Sequence, residues 1–380
     1  MNLEELRQKI DKIDEEMIRL FEKRMDIAGE IAQFKKDSNL PVLSASRERE
    51  KLAVVTAEAR DDMKSYISVL YPLLFELSRS YQNKLLDKKS TLNKKISDAV
   101  ENTPHLFPQS AMVACQGVEG AYSQIAAEKM FKTPNIMYFK NWEGVFSSIA
   151  NGLCRYGIIP LENSTAGSVK QVYDLMIKYD FSIVRSVRVK IDHNLLAKQG
   201  SSLSDIKEIF SHEQAINQCS DFLASLKDVK ITCCENTAAA AKMVAESDRT
   251  DVAALSSRSC AELYDLKMLA PSVQNQGNNY TRFICISKNL EIYPGADKTS
   301  IMMVLSHKPG ALYKVLARFY ALGINLIKLE SRPMPDRDFE FMFYFDLETS
   351  IYSEEYVQLI AELDSLCEEF KYLGSYLEVL

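Results

Sequence analysis

The chain has 380 residues, with 46 Lys and Arg against 52 Asp and Glu and a net charge of −6. At roughly 100–200 residues per domain, that length predicts two or three domains. Apolar residues at 47% and charged residues at 26% exclude a disordered or fibrous chain, and the mildly acidic balance excludes a general nucleic-acid binder. No run reaches the ~18 apolar residues of a membrane span. The opening MNLEELRQKIDKIDEE lacks the apolar centre of an export signal. The expectation is a cytoplasmic protein with no membrane partner and with its eight cysteines reduced.

Residues 1–110 hold one glycine, Gly29, and no cysteine, so the chain changes character beyond them. Leu3, Ile10, Met17, Arg24, Ile31 and Leu6, Ile13, Leu20, Ile27, Phe34 keep a heptad. That pattern predicts one helix of ~50 Å with an apolar seam. It is longer than a 90-residue globule is wide, so the seam is expected to pack along a second copy of the chain. Pro41 should end this helix, Ser46 should cap a second, and a third should run from near Met63 through Pro72. Arg24 interrupts the seam. Taken singly, it could snorkel or pair with a glutamate. Lys35 follows eleven residues on, ~16 Å along the axis and ~20° off the same face. The second helix brings Arg47 and Glu48, and the third brings Ser78 and Gln82 at i and i+4. Arg7, ~25 Å from Arg24, could reach that site only from another subunit. Cations converging inside a helical bundle suit a small dianion.

LRQKIDKID, EKR, IAQFK, RERE and SRSYQ together resemble the all-helical chorismate mutase domain, an intertwined dimer that converts chorismate to prephenate. The resemblance implies that Arg24, Arg47 and the partner's Arg7 hold the substrate carboxylates. It implies that Lys35 and Gln82 bond the ether oxygen, Glu48 takes the hydroxyl, and Ser78 lines the pocket. A pericyclic reaction needs a compact substrate conformer and stabilised developing charge, with no nucleophile. Ser44 stands where members of the family often carry aspartate near the substrate.

Residues 87–109 are polar with two prolines and read as a linker. Strand, glycine turn and helix then alternate, which predicts an α/β fold with a mostly parallel sheet and ligands at helix N-termini. The polar turn motifs there, taken one at a time, are ordinary helix caps. QGVEGAYS, GIIPLENSTAGSV, FSHEQAINQC, ENTAAAAKMV, CAELYDL and NNYTRF occur in one order, and this resembles prephenate dehydratase over about 180 residues. Val118 and Glu213 stand where that family more often has proline. The resemblance implies two α/β subdomains with the site in the cleft between them. It makes Thr281 the group that assists loss of the ring hydroxyl. Asn163, Ser164, Ser211, Gln218, Glu235, Thr237 and Phe283 match further substrate-site positions. Arg282 could bind a carboxylate or serve as an ion-pair residue, and Glu162 reads as a cap or salt bridge.

Residues 298–380 read as βαββαβ, the ferredoxin-like order. Phenylalanines on both faces of FEFMFYFDL predict helices on one face and a partner subunit on the other. KPGALYKVL and LESRP resemble the ACT regulatory domain, in which an amino acid binds between paired domains. By that match Gly310, Ala311 and Leu312 form one side of a phenylalanine site, and Glu330, Ser331 and Arg332 the other.

The expected architecture is an all-α helical chorismate mutase domain (1–88), a linker (89–109), a two-subdomain α/β prephenate dehydratase domain (110–290) and an α+β ferredoxin-like ACT domain (298–380). Its partners are chorismate, prephenate and phenylalanine, with no metal or organic cofactor and a homo-oligomer, dimer or dimer of dimers. Removal of 298–380 is expected to spare catalysis. The alternatives are a dehydratase with a vestigial helical dimerisation domain, or a non-catalytic amino-acid sensor.

Overall fold

The computed structural model describes residues 2–38, 40–86, 91–334, 340–363 and 367–379. Residues 87–90, where the expected linker begins, and residue 339, the first of the expected strand FEFMFYFDL, lie outside the described residues. The chain divides into two compact units: Met1–Lys95 with Glu354–Leu366, and Ile96–Ser353 with Cys367–Leu380. No helix among the described residues is long and apolar enough to cross a membrane.

The first unit is helical. α1 (Leu3–Asp37) opens on a capping box in which Asn2 and Glu5 satisfy each other's backbone N–H groups. α2 (Ala45–Glu58) begins two residues earlier than expected: Ser44 is its N-cap position, and Ser46 lies inside it. α3 (Lys64–Leu85) continues through Pro72. The face of α1 buried within the chain carries Met25, Ala28 and Ala32. The nine apolar heptad positions, from Leu3 to Phe34, are all exposed. Burying that stripe therefore requires something beyond this chain.

α4 (Thr91–Asn102) replaces most of the expected linker with a helix. Ile96, Ala99 and Thr103 recur along one buried face. That period of three apolar or small positions is too sparse to stand out among the flanking lysines and asparagines. Thr103 Oγ1 then accepts the backbone N–H of Ile292 at 3.0 Å.

In the second unit, a first lobe is built by β1 (Met112–Gln116), α5 (Tyr122–Met130), β2 (Asn135–Phe139), α6 (Trp142–Ala150), β3 (Tyr156–Asn163), β4 (Gly167–Ser168), α7 (Lys170–Lys178) and β5 (Ser182–Lys190). The chain then crosses to a second lobe. It contains β6 (Asn194–Ala197), β7 (Glu208–Ser211), α8 (Glu213–Gln218), α9 (Ser220–Ser225), β8 (Lys230–Cys233), α10 (Thr237–Glu246), β9 (Val252–Ser256), α11 (Arg258–Leu263) and β10 (Lys267–Ala270). β11 (Tyr280–Ser287) returns to the first lobe.

The sheets are more mixed than expected. β1 pairs β2 and β3 in parallel, and β7 pairs β8 and β9 in parallel. β11 runs antiparallel to both β3 and β5, and β6 antiparallel to both β9 and β10. A chain that leaves a lobe and comes back must re-enter in the opposite sense, which βα alternation alone does not reveal.

The C-terminal strands β12 (Lys298–Val304), β13 (Asn325–Pro333), β14 (Phe341–Glu348) and β15 (Glu369–Val379) take the order β13–β14–β12–β15, with every neighbour antiparallel. α12 (Ala311–Ala321) covers one face, where Phe319 meets Phe345 edge-on with ring centroids 5.5 Å apart. The other face was expected to meet a partner subunit. Instead α7 of the same chain covers it: Tyr173 packs edge-on against Tyr344 at 5.0 Å, in one core with Met302, Val304 and Leu373. The final helix, α13 (Glu354–Leu363), packs on α3, and Gln358 Nε2 donates to Ser80 Oγ at 3.2 Å.

β15 extends well beyond the short SYLEV strand expected. Leu377–Val379 pair in parallel with Arg185–Val187 of β5, so the C-terminal strands and the first lobe share a single sheet. Gly374 is a glycine because a Cβ there would collide with the carbonyl oxygen of Ile183. This continuity reverses the expectation for a truncation. A chain ending at residue 297 would strip β5 of one of its two neighbours, β15, and take Asp346 and Glu378 from the buried Arg282. Breaking such a buried pair costs about 3–5 kcal/mol. Thermal unfolding followed by circular dichroism should then lack the cooperative transition of the sheet module. A sharp melt near that of the full chain would contradict it.

Candidate active sites

Within the helical unit, a cavity of about 570 Å³ collects Arg24, Lys35, Ser44, Arg47, Glu48, Ser78 and Gln82. Arg7 is elsewhere, exposed near the start of α1 and 3.7 Å from Glu4. Arg24 Nη1 donates to Ser78 Oγ and, at 3.2 Å, to Leu74 O. Ser78 in turn donates to Leu74 O at 2.8 Å, which fixes the guanidinium over the cavity floor. Lys35 Nζ donates to Val42 O. Burial depresses the pKa of both cations; Tyr71 partly offsets this for Arg24 and Glu48 for Lys35. Gln82 Oε1 is buried with no hydrogen-bond partner among the described residues.

The sequence reading missed Lys23, Lys51 and Arg79, which also line this cavity. Arg79 pairs with Glu48 and, at 2.6 Å, with Glu76. Burial alone would depress its pKa, but Glu76 and Glu48 raise it above the usual arginine range. It lies between the two singled-out positions Ser78 and Gln82, where i, i+4 reasoning had no reason to look. The wall thus presents Lys23, Arg24, Lys35, Arg47, Lys51 and Arg79 against the single carboxylate of Glu48. Such a wall suits a dianion.

The second cavity, about 440 Å³, lies between the two α/β lobes at the ends of their strands. Asn163, Gln218, Glu235, Thr237, Thr281 and Phe283 line it. Its polar network fixes proton positions. Asn163 Oδ1 accepts from Thr165 N at 3.0 Å, Thr165 Oγ1 at 2.7 Å and Ala166 N at 2.9 Å. Its Nδ2 must therefore face the other way, donating to Thr281 Oγ1 at 2.8 Å and Asn279 Oδ1 at 2.7 Å. Thr281 Oγ is thus an acceptor toward the protein, which leaves its own O–H for the cavity.

The same logic sets a histidine. Gln218 Nε2 donates to Thr165 Oγ1 at 2.9 Å, so Gln218 Oε1 is the atom facing Asn279 Nδ2 and His193 Nε2, each at 2.9 Å. His193 must then carry its proton on Nε2. Burial lowers its pKa, which favours the neutral ring, and its Nδ1 has no partner among the described residues. Neither His193 nor Trp142 was singled out from the sequence, although both line the cavity. Trp142 Nε1 is a buried donor with no partner among the described residues. A lone histidine or tryptophan outside any ligand spacing carries no signal in a single sequence.

Three expected substrate contacts fall outside this cavity. Ser164 Oγ donates to Asn278 O at 3.0 Å and accepts from Tyr280 N at 2.9 Å, joining the ends of β3 and β11. Ser211 is fully buried, its hydroxyl on Leu255 O at 2.8 Å. Arg282 is 4% exposed and faces away from Thr281, as alternation along a strand requires. Of its two readings, the ion pair is the one the structure contains, with Glu162 at 3.2 Å and with Asp346. Among the described residues, no Lys or Arg lines the second cavity. Its anion-binding capacity rests on neutral donors and the N-termini of α5 and α10, the latter capped by Asn236.

A third cavity, about 380 Å³, follows β12 and is lined by Leu305–Pro309, Ala311, Leu312, Glu340, Phe341 and Phe343. Gly310 enters α12 at φ 81°, a left-handed conformation that glycine adopts without penalty. Glu330, Ser331 and Arg332 do not join it within one chain. Glu330 Oε2 accepts from Ser168 Oγ at 2.7 Å, Arg332 pairs with Asp174 at 2.8 Å, and Ser331 is exposed on the other face of β13.

Comparison with known proteins agrees with these two kinds of site. The chorismate mutase type II family matches residues 6–83, and the prephenate dehydratase family matches residues 113–291. A bifunctional chorismate mutase/prephenate dehydratase from Enterobacter agglomerans is 32% identical over 379 residues, covering 98% of this chain and 95% of that protein. Its counterpart from Aquifex aeolicus is 31% identical, covering 100% and 98%. The crystal structure of prephenate dehydratase in complex with L-Phe from Arthrobacter aurescens matches with a TM-score of 0.64 and 27% identity, over 70% of this chain and 89% of that one. With a helical cavity walled by cations and an α/β cleft centred on a threonine hydroxyl oriented by Asn163, the chain belongs to the bifunctional chorismate mutase/prephenate dehydratase family.

Proposed function

We propose that the helical cavity rearranges chorismate to prephenate and that the α/β cleft converts prephenate to phenylpyruvate. The observation that carries this reading is the contrast between the two walls. In the first, fixed cations hold a dianion folded and stabilise charge growing on the breaking C–O bond, while a C–C bond forms and no proton moves. In the second, the C–CO2 bond breaks and its electron pair enters the ring. The ring hydroxyl is expelled and leaves as water after taking a proton. Thr281 O–H, aimed at the cavity by Asn163, assists that departure. Trp142 Nε1 and the N-termini of α5 and α10 hold the carboxylates.

The exposed seam of α1 supports a second copy of this chain as its cover, bringing the partner's Arg7 toward the first cavity. The cavity beside Gly310 is assigned to phenylalanine as a feedback inhibitor, in a module of the ACT type. That the Arthrobacter protein was crystallised with L-Phe supports this, as does the strand order β13–β14–β12–β15. The absence of a membrane-spanning helix among the described residues is compatible with a cytoplasmic enzyme. The test is purified full-length chain given chorismate and, separately, prephenate, with ultraviolet detection and sedimentation of the same preparation. Both substrates should be consumed by a species of at least two chains, and phenylalanine should slow phenylpyruvate formation. Turnover of prephenate alone would reduce the helical unit to a dimerisation device, and turnover of neither would refute the reading.

A further inference from the structure

β3 and β11 carry the dehydratase site on one face and the C-terminal strands on the other. On β11, Thr281 and Phe283 line the cavity while Arg282 points away. On β3, Asn163 faces the cavity and Glu162 faces Arg282, and the register between these strands shifts at Arg282–Phe283. Such a bulge re-aims side chains beside a site.

The C-terminal strands fill the space behind. Asp346, fully buried on β14, pairs with Arg282, and Tyr376 OH accepts from Arg282 Nη2 at 2.6 Å. Lys328 on β13 pairs with Glu162 and donates to Ser168 Oγ at 3.0 Å. Ser168, a cavity-lining residue, donates to Glu330 two positions along the same strand. Of the three charges that β13 presents on this face, Lys328 and Glu330 end on a cavity residue or on the immediate neighbour of one, while Arg332 ends on Asp174 of α7. Lys328 and Glu330 alternate with exposed Ile327, Leu329 and Ser331, so any twist of β13 moves both charges together.

We propose that Glu162 and Arg282 are positioning residues of the dehydratase site, and that Lys328 and Glu330 hold Glu162 and Ser168 in the working arrangement. A rearrangement of β13 then reaches Thr281 and the cavity wall through these contacts. This deepens the feedback reading above and rests on it for the identity of the signal. The positioning role itself does not depend on which ligand the C-terminal module takes.

The experiment uses the full-length chain with Lys328→Met and Lys328→Arg. Lys328→Met keeps the length of the stem and leaves Glu162 its pair with Arg282, so the fold is expected to persist. Its kcat for prephenate should fall about tenfold, the range of a local coupling contact, with KM within about twofold. Lys328→Arg should recover most of that loss, and chorismate turnover should be unchanged in both. Phenylalanine should still bind Lys328→Met by calorimetry while inhibiting it less than the parent chain. An unaltered kcat in Lys328→Met overturns the proposal. So does a fall in kcat that tracks a lowered thermal midpoint and is not rescued by arginine, since that is a purely structural role. If the parent chain fails to bind phenylalanine, the feedback reading falls, and the kcat and rescue results still decide the positioning role.

Discussion

Replacing Thr281 by alanine should reduce phenylpyruvate formation by about 10²–10⁴-fold, the usual worth of a positioned proton donor. Chorismate turnover in the same preparation should be unaltered. The reasoning starts at Asn163, not at Thr281. Three donors fill Asn163 Oδ1, so its amide N–H must point at Thr281 Oγ1. The threonine lone pair is thereby engaged, and its hydrogen is left facing the cavity. Hydroxide is a poor leaving group, so a hydrogen bond that strengthens as C–O breaks lowers the barrier more than it aids binding. The loss should therefore fall on kcat, with KM nearly constant. Thr281→Ser keeps the hydroxyl and should retain most of the rate. Asn163→Ala frees the Thr281 lone pair and should cost less than Thr281→Ala but more than Thr281→Ser. Residual turnover near the parent rate in Thr281→Ala would move the role to another donor, with Trp142 Nε1 the next group to replace.

The helical cavity and the α/β cleft were unequally legible in the sequence. Helical spacing alone placed Arg24 and Lys35 on nearly one face, and a single chain supplies seven of the eight expected mutase residues to one cavity. Helical periodicity is local, so it converts directly into geometry. The dehydratase site depends on which strands become neighbours, and no local pattern states that β11 returns between β3 and β5. Motif matching therefore found Asn163, Gln218 and Thr281 but also took in Ser164 and Ser211, whose hydroxyls stabilise the backbone beside the site. Arg282 was offered either as a carboxylate ligand or as an ion-pair residue. Alternation along a strand is what turns it to the opposite side. Its acidic partner Asp346 lies 64 residues away in another module, a pairing that only the tertiary structure creates. The same holds for the contact of β15 with β5, which turned a module expected to be removable into the completion of the first lobe's sheet.

Lys35→Ala should lower chorismate turnover by about 10²–10³-fold, comparable to removing one preorganised donor to a developing oxyanion, while dehydration of prephenate is unchanged. Lys35 is held by Val42 O at the edge of a cavity whose other cations serve bound carboxylates in the proposed reading. Carboxylates carry the same charge before and during the reaction, so their ligands contribute mainly to KM. The ether oxygen gains charge only as its bond breaks, so a donor to that atom contributes to kcat. Arg47→Ala should accordingly raise KM more than it lowers kcat, the reverse of Lys35→Ala. Burial pulls the Lys35 pKa below the ordinary lysine range, with Glu48 opposing and Arg79 adding to the fall. The parent enzyme should then lose mutase activity on the alkaline side at a lower pH than an exposed lysine would dictate. Lys35→Arg, which stays charged, should flatten that limb. An alkaline limb identical in Lys35→Arg and the parent would assign the titration to another group. A Lys35→Ala enzyme with normal kcat would remove Lys35 from the reacting oxygen altogether.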